Sequence, residues 1–459
     1  MLFLANFACV ILILTGQNDH YEETLPFRYL HDVALASWAQ AMADARISQA
    51  LNSSDWFELR RAFQGADKDS VMPILRLFSE SMVATYFNRP DEACTAIRSL
   101  LNNHSAEIGG GNTLSMAFML AANEARAGRY AEAAETLSRV IQAFEPLVDS
   151  MALDMHRGYE KQYRILAKYE GVDSVTGLGT KDFRIPFRLD SVGPEHKHAL
   201  TIMLPSLVNG KAQDIVFDTG AGVNVVSTEA AKALGMDVYN VGTRLSGIGE
   251  QQGGFAVARE LCMGNMKLYN VPFFVVDISS GVDSIDAYMS HLDMIVGVDF
   301  MNALGELHVD FENKGLFVPK AQNRLSLDGA PNLCGGVAGG YFVEGTANGE
   351  QVTVNLDTGA GNSVLTYSYF ESHKEYITTQ CRADTLGSAG VGGVKIELAY
   401  VLPSLDFQIA GQGYTFPEIY VSTMPGAVDL RKANIGMDYF IKFKKVAFNT
   451  KDMFVRLFP

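Results

Sequence analysis

Two regimes of apolar spacing divide the chain. Between about Leu30 and Glu170, Ala, Leu, Glu and Arg dominate and apolar residues recur at helical spacing. Leu114, Phe118, Ala121 and Ala125 form one stripe, and Ala134, Leu137, Ile141 and Phe144 another. Asn112-Thr113 predicts a helix start, Gly128-Arg129 a break between helices, and Pro146 a stop. Near Gly171 the pattern changes. The run from Gly171 to Thr180 is a turn-rich linker. Beyond it, short β-branched and aromatic runs such as Arg184–Leu189 and Val271–Val276 alternate with Gly, Asn and Asp, which predicts an all-β region.

Both regions repeat internally. In the helical part, Arg89-Pro90-Asp91-Glu92-Ala93 parallels Arg129-Tyr130-Ala131-Glu132-Ala133 at an offset of 40 (129 − 89). Helix pairs of this kind resemble tetratricopeptide-type repeats, with a plain bundle as the other reading. The β region is duplicated more clearly. Ile215-Val216-Phe217-Asp218-Thr219-Gly220-Ala221-Gly222 is matched by Val354-Asn355-Leu356-Asp357-Thr358-Gly359-Ala360-Gly361, an offset of 139 (357 − 218). Asn209-Gly210 and Asn348-Gly349 keep that offset, as do Gly297-Val298-Asp299-Phe300 and Gly436-Met437-Asp438-Tyr439. Three markers on one offset predict two similar β-lobes of ordinary domain size.

Composition then narrows the function classes. The 459 residues are 48 % hydrophobic and 19 % charged, enough for several domains with ordinary cores. A formal charge of -15 disfavours a nucleic-acid partner, which needs clustered Lys and Arg. Cys9, Cys94, Cys262, Cys334 and Cys381 show no metal-ligand spacing, so no metal site is expected. A Cys334–Cys381 disulfide and free buried thiols both fit the sequence. His196 and His198 read as solvated, Gly109-Gly110-Gly111 as a loop, and no Gly-x-Ser-x-Gly elbow supports a serine hydrolase. The uncharged apolar run Met1–Leu14 has signal-peptide length and predicts export, periplasmic or extracellular, with cleavage near Gly16. An uncleaved membrane anchor is the alternative.

One Asp-Thr-Gly is ordinary turn chemistry. Two copies on related lobes can bring two carboxyls together at a local two-fold axis, where they share one proton because both cannot ionise cheaply. The ionised member can take a proton from water, and the protonated member can polarise a carbonyl. No organic cofactor is needed.

Asp218-Thr219-Gly220-Ala221 and Asp357-Thr358-Gly359-Ala360 resemble the active-site motifs of pepsin- and retropepsin-type aspartyl proteases. The resemblance spans about residues 184 to 459. It implies an aspartic endopeptidase with Asp218 and Asp357 as the catalytic pair. It also implies that Thr219 and Thr358 bond across the lobe interface, and that Gly220, Gly359, Gly297 and Gly436 support the active-site loops. Ile295-Val296-Gly297 fits the family's supporting segment, whereas Asn434-Ile435-Gly436 puts Asn where an apolar residue is usual. Ala221 and Ala360 lack the hydroxyl that would favour an ionised aspartate, which implies a less acid-shifted enzyme. Gly247-Ile248-Gly249 and the run Gly387-Ser388-Ala389-Gly390 are similar to flap tips over the substrate.

The expectation is a multi-domain chain. A signal peptide occupies 1–16, a helical repeat or bundle 28–170, and an all-β bilobal aspartic protease has lobes at 183–322 and 335–459. It would act as a monomer on polypeptide substrates, with a protein partner on the helical part. A catalytically silent peptide-binding protein on the same scaffold is the alternative.

Overall fold

A computed structural model describes residues 38–148, 153–191, 200–246, 250–277, 293–321, 329–336, 339–390, 393–425 and 431–459. The proposed signal segment, His196, His198 and Gly247–Gly249 lie outside them. The chain divides into two compact units, one ending at Lys168 and one running from Tyr169 to Pro459.

The first unit is helical, with helices Trp38–Asn52, Trp56–Gly65, Pro73–Tyr86, Pro90–Arg126, Tyr130–Phe144 and Asp154–Leu166. Leu114, Phe118, Ala121 and Ala125 are buried, as are Ala134 and Leu137. Ile141 and Phe144, at the end of the second stripe, are only half-buried. The offset of 40 has a structural counterpart. After Tyr86, Asn88 takes φ 54° and Arg89 N–H bonds the Ala84 carbonyl at 2.8 Å. After Arg126, Gly128 takes φ 76° and Arg129 N–H bonds the Glu124 carbonyl at 2.8 Å. Both are left-handed helix stops that satisfy a terminal carbonyl.

The expected start at Asn112-Thr113 comes two to three residues too late, and the expected loop at Gly109-Gly110-Gly111 is reduced to a kink. Two helices within Pro90–Arg126 meet in a kink at Gly109, whose φ 77° and ψ 166° are not helical, and Gly110 and Gly111 belong to the second of them. Asn112 and Thr113 do not cap a helix; their side chains bond back to the carbonyls of Ile108 and Gly109 at 2.8 and 2.9 Å. No helix among the described residues is long and apolar enough to cross a membrane.

The second unit is β-rich. Among the described residues its strands form sheets of nine, five and ten strands. In the nine-stranded sheet the segments 266–276, 225–227, 294–296, 211–217, 200–208 and 250–263 lie side by side in that order. The segments 419–422, 364–365, 433–435, 350–356, 341–347 and 405–409 repeat that order in the ten-stranded sheet. Each repeat opens with a hairpin turned at Asn-Gly. Asn209 and Gly210 have φ 50° and 80°, and Asn348 and Gly349 φ 49° and 82°. Asn followed by Gly suits such a turn because both central residues need positive φ.

The five-stranded sheet joins the repeats through Glu306–Asp310 and Lys445–Asn449, which pair antiparallel. His308 lies opposite Ala447, its own counterpart at the offset of 139, so a local two-fold axis passes between them.

The run from Gly171 to Thr180 is more than a linker. Ser174–Val175 forms a short strand against Tyr269 and Leu268 in the first repeat. Arg184–Leu189 likewise divides. Phe183–Pro186 joins the five-stranded sheet and Arg188–Ser191 the nine-stranded one. No disulfide links Cys94, Cys262, Cys334 and Cys381.

Candidate active site

The residue before each aspartate is a core anchor. Phe217 is fully buried and meets Phe300 edge-on at 6.3 Å, and Leu356 is 1 % exposed. Burying such a side chain contributes about 1.5–3 kcal/mol, which holds the strand end where the chain turns. Asp218 N–H then bonds the Val296 carbonyl at 3.0 Å, and Asp357 N–H bonds the Ile435 carbonyl at 2.9 Å.

The two Asp-Thr-Gly-Ala loops meet at the local axis. Thr219 Oγ1 donates to the Leu356 carbonyl at 2.9 Å and accepts from Thr358 N–H at 3.0 Å. Thr358 Oγ1 donates to the Phe217 carbonyl at 2.9 Å and accepts from Thr219 N–H at 3.0 Å. Both threonines are essentially inaccessible to solvent. Four reciprocal bonds therefore lock the loops together across the axis.

That lock sets the aspartates against the opposite loop. A Cβ added to Gly220 would fall 2.5 Å from Asp357 Cγ, and one on Gly359 would overlap the Asp218 carboxyl. These glycines are required by the neighbouring carboxyl, not by backbone angle. Gly297 and Gly436 have a related reason, since a Cβ there would run into the carbonyl oxygens of Ala221 and Ala360.

Each carboxylate is held by its own loop. Asp218 Oδ1 accepts from Gly220 and Ala221 N–H at 2.8 and 3.2 Å, and Asp357 Oδ1 from Gly359 and Ala360 N–H at 3.0 Å each. Asp218 is pushed up to about 7, first by burial, then by the charge of Asp357 and a hydrogen bond between the two side chains. Backbone donation from Gly220 opposes that rise. Both aspartates keep part of their surface open to solvent, so water can reach the pair.

The sequence-predicted residues Asp218, Thr219, Gly220, Asp357, Thr358, Gly359, Gly297 and Gly436 thus come together. The flap-tip candidates divide. Gly247–Gly249 lies outside the described residues, between strands that pair Ser246 with Glu250. Ser388, Ala389 and Gly390 end one arm of a hairpin, opposite Lys395, Val394 and Gly393.

Residues 204–300 match the family described as aspartyl protease. The matched stretch contains Asp218 and Gly297 and ends before the second repeat. Among solved structures the chain is similar to a retropepsin-like aspartic protease from Rickettsia conorii, at 16 % identity, over 33 % of this chain and 95 % of that chain, with a TM-score of 0.21. No curated protein matches the chain.

Several residues at the site carry no motif. Asn224 Oδ1 accepts from Gly297 N–H at 3.1 Å, and Ser363 Oγ accepts from Gly436 N–H at 2.9 Å. The offset of 139 relates these two positions, a signal present in the sequence. Ser363 also donates to Asp438 at 2.6 Å. Burial raises the Asp438 carboxyl, and the Ser363 bonds work against that rise. Asn434, which the sequence marks only as a departure, donates from Nδ2 to Asp357 Oδ2 at 2.7 Å.

Proposed function

We propose that the chain is an aspartic endopeptidase in which Asp218 and Asp357 form one dyad within a single polypeptide. The observation that carries this reading is the reciprocal lock of Thr219 and Thr358, which packs each carboxyl on the glycine of the other repeat. The raised affinity of Asp218 for its proton beside Asp357 supports one shared proton at neutral pH. The match of residues 204–300 to aspartyl proteases supports the same chemistry.

The reaction is a general acid–base hydrolysis. A water held between the carboxyls loses a proton to the ionised one as its oxygen attacks the scissile carbonyl. The protonated carboxyl stabilises the developing oxyanion, and the proton taken from water passes to the leaving amine. The two repeats would form a pepsin-like pair of lobes with the polypeptide between them. The hairpins ending at Ser246/Glu250 and Gly390/Gly393 would serve as flaps. We place the mature enzyme outside the cytoplasm as a monomer, with its helical unit available to a protein partner.

Asp218→Asn and Asp357→Asn are expected each to lower kcat/KM for a peptide substrate by at least about 10³-fold without changing the circular dichroism spectrum. Near-normal turnover by either folded variant would overturn the reading. A peptide carrying a central hydroxyl in place of the scissile carbonyl should inhibit, since that hydroxyl takes the position of the attacking water.

A further inference from the structure

The repeats differ where the strand carrying each aspartate meets its parallel neighbour. In the first repeat Val216 lies opposite Ile295, and in the second Asn355 lies opposite Asn434. The offset of 139 relates both members, so an apolar pair in one repeat stands where an amide pair stands in the other. Asn355 is fully buried, its Nδ2 donates to Asn434 Oδ1 at 2.7 Å, and Asn434 Nδ2 donates to Asp357 Oδ2 at 2.7 Å. Asn355 Oδ1 has no hydrogen-bond partner among the described residues. Stability alone does not favour this pair, because a buried amide with an orphan oxygen is worse than the apolar pair that the same sheet position accepts in the first repeat.

We propose that Asn434, held in orientation by Asn355, is a positioning residue that puts the dyad's negative charge on Asp357 and leaves Asp218 as the protonated member. The inference rests on the dyad reading above. Asp357 receives two backbone donors on Oδ1 and the amide on Oδ2. Asp218 receives the two backbone donors, but the counterpart of Asn434 in the first repeat is Ile295, opposite Val216, and its side chain has nothing to donate. Donors on a carboxylate favour its ionised form. The order of donation agrees with this. A carboxylate only accepts, so Asn434 must turn its NH₂ toward Asp357 and its oxygen toward Asn355. The direction in which Asp218 is shifted has the same sense.

The proton path follows. Asp357 takes a proton from water as the water oxygen bonds the carbonyl carbon, and the carbonyl π pair moves to oxygen, which takes the Asp218 proton. As the C–N bond breaks, Asp357 protonates the amine nitrogen and Asp218 recovers a proton from the gem-diol. The dyad returns to its starting state.

The test uses the full chain. Carboxyl ¹³C NMR titration of labelled aspartate, assigned with Asp218→Asn and Asp357→Asn, reads which residue holds the proton even though the pair titrates jointly. It is paired with the pH profile of kcat/KM. In the unaltered protein, Asp357 should titrate below Asp218. Asn434→Leu removes the donor but strands Asn355, so Asn355→Val/Asn434→Ile, which installs the apolar pair of the first repeat, is the second variant. Either should raise the Asp357 titration and the acid limb of the profile by about 1 pH unit. Adding Val216→Asn/Ile295→Asn to the double variant should reverse the order of the two carboxyls. The proposal is overturned if Asp357 titrates above Asp218 in the unaltered protein, or if the folded double variant leaves both readouts unmoved. A loss of thermal stability alone, with the titration order and the acid limb kept, is a purely structural role and also overturns it. Failure of the dyad reading looks different, as peptide cleavage that survives loss of either aspartate, and the NMR order is read independently of any cleavage.

Discussion

The two β repeats agree at the threonines and diverge one strand away. Thr219 and Thr358 make the same bonds with partners exchanged, and their distances match to 0.1 Å or better. Val216–Ile295 and Asn355–Asn434 occupy the same sheet position with opposite chemistry. The difference lies in who shares the contact. Each threonine side chain bonds across the axis, so changing one residue strands two buried backbone groups in the other repeat. The strand pair lies inside one repeat and can change there without a matching change in the other. Duplication with a common axis therefore keeps the joint symmetric and lets the surroundings of each carboxyl separate.

The largest test of this comparison is whether both halves of the dyad must come from one chain. On the proposed intrachain dyad, Asp218→Asn and Asp357→Asn chains mixed after joint refolding should recover none of the lost peptide cleavage, at least about 10³-fold below the unaltered protein. Recovery toward half the normal rate would show repeats pairing between chains.

Next comes the joint itself. Thr219→Val and Thr358→Val each remove a donor and an acceptor at a buried position. Each should cost about 2–4 kcal/mol in urea unfolding, equal within about 0.5 kcal/mol. The double variant should depart from the sum, because the two threonines touch across the axis although each single change removes its own two bonds. Clearly unequal single costs would end the claim of a symmetric joint.

The third test is electrostatic. Asp218 is raised to about 7 in the folded protein, against about 3.9 for an unfolded aspartate. Between those values the native state holds a proton that the unfolded state releases. The associated stability is fully present below about pH 4 and is lost as pH rises through about 7. Asp218→Asn should flatten that fall, which is on the order of 1–3 kcal/mol, in unfolding curves taken across the range. An unchanged slope would mean that Asp218 does not hold the proton.

The smallest effect separates Asn224 from Ser363. Each anchors the N–H of a supporting glycine, so Asn224→Ala and Ser363→Ala should each cost about 1–2 kcal/mol. Only Ser363 also donates to a carboxyl. Its loss raises Asp438 further, so the cost of Ser363→Ala should grow as pH rises above the acid range. The cost of Asn224→Ala should stay level, and equal pH dependence in calorimetric melts would contradict the assignment.

Much of the candidate site could be read from residue identity alone. A constant offset exposes a duplication in any environment, and the paired Asp-Thr-Gly-Ala motifs and Asn-Gly turns depend on neighbours only a few residues away. The second helix starts after Gly109 rather than at Asn112, because Asn and Thr can bond back into a helix as readily as they cap one, while Gly109 takes φ 77° without a Cβ penalty. The strand at Ser174–Val175 was hidden because its partners, Tyr269 and Leu268, lie more than ninety residues along the chain. Asn434 was visible only as an oddity. Its meaning depends on a parallel pairing with Asn355 and on the Asp357 oxygen within 2.7 Å, distances created when two separated segments close on one another. Local sequence specifies turns, strands and the reactive groups they carry. Which carboxyl has a third donor is specified by contacts between segments 77 residues apart.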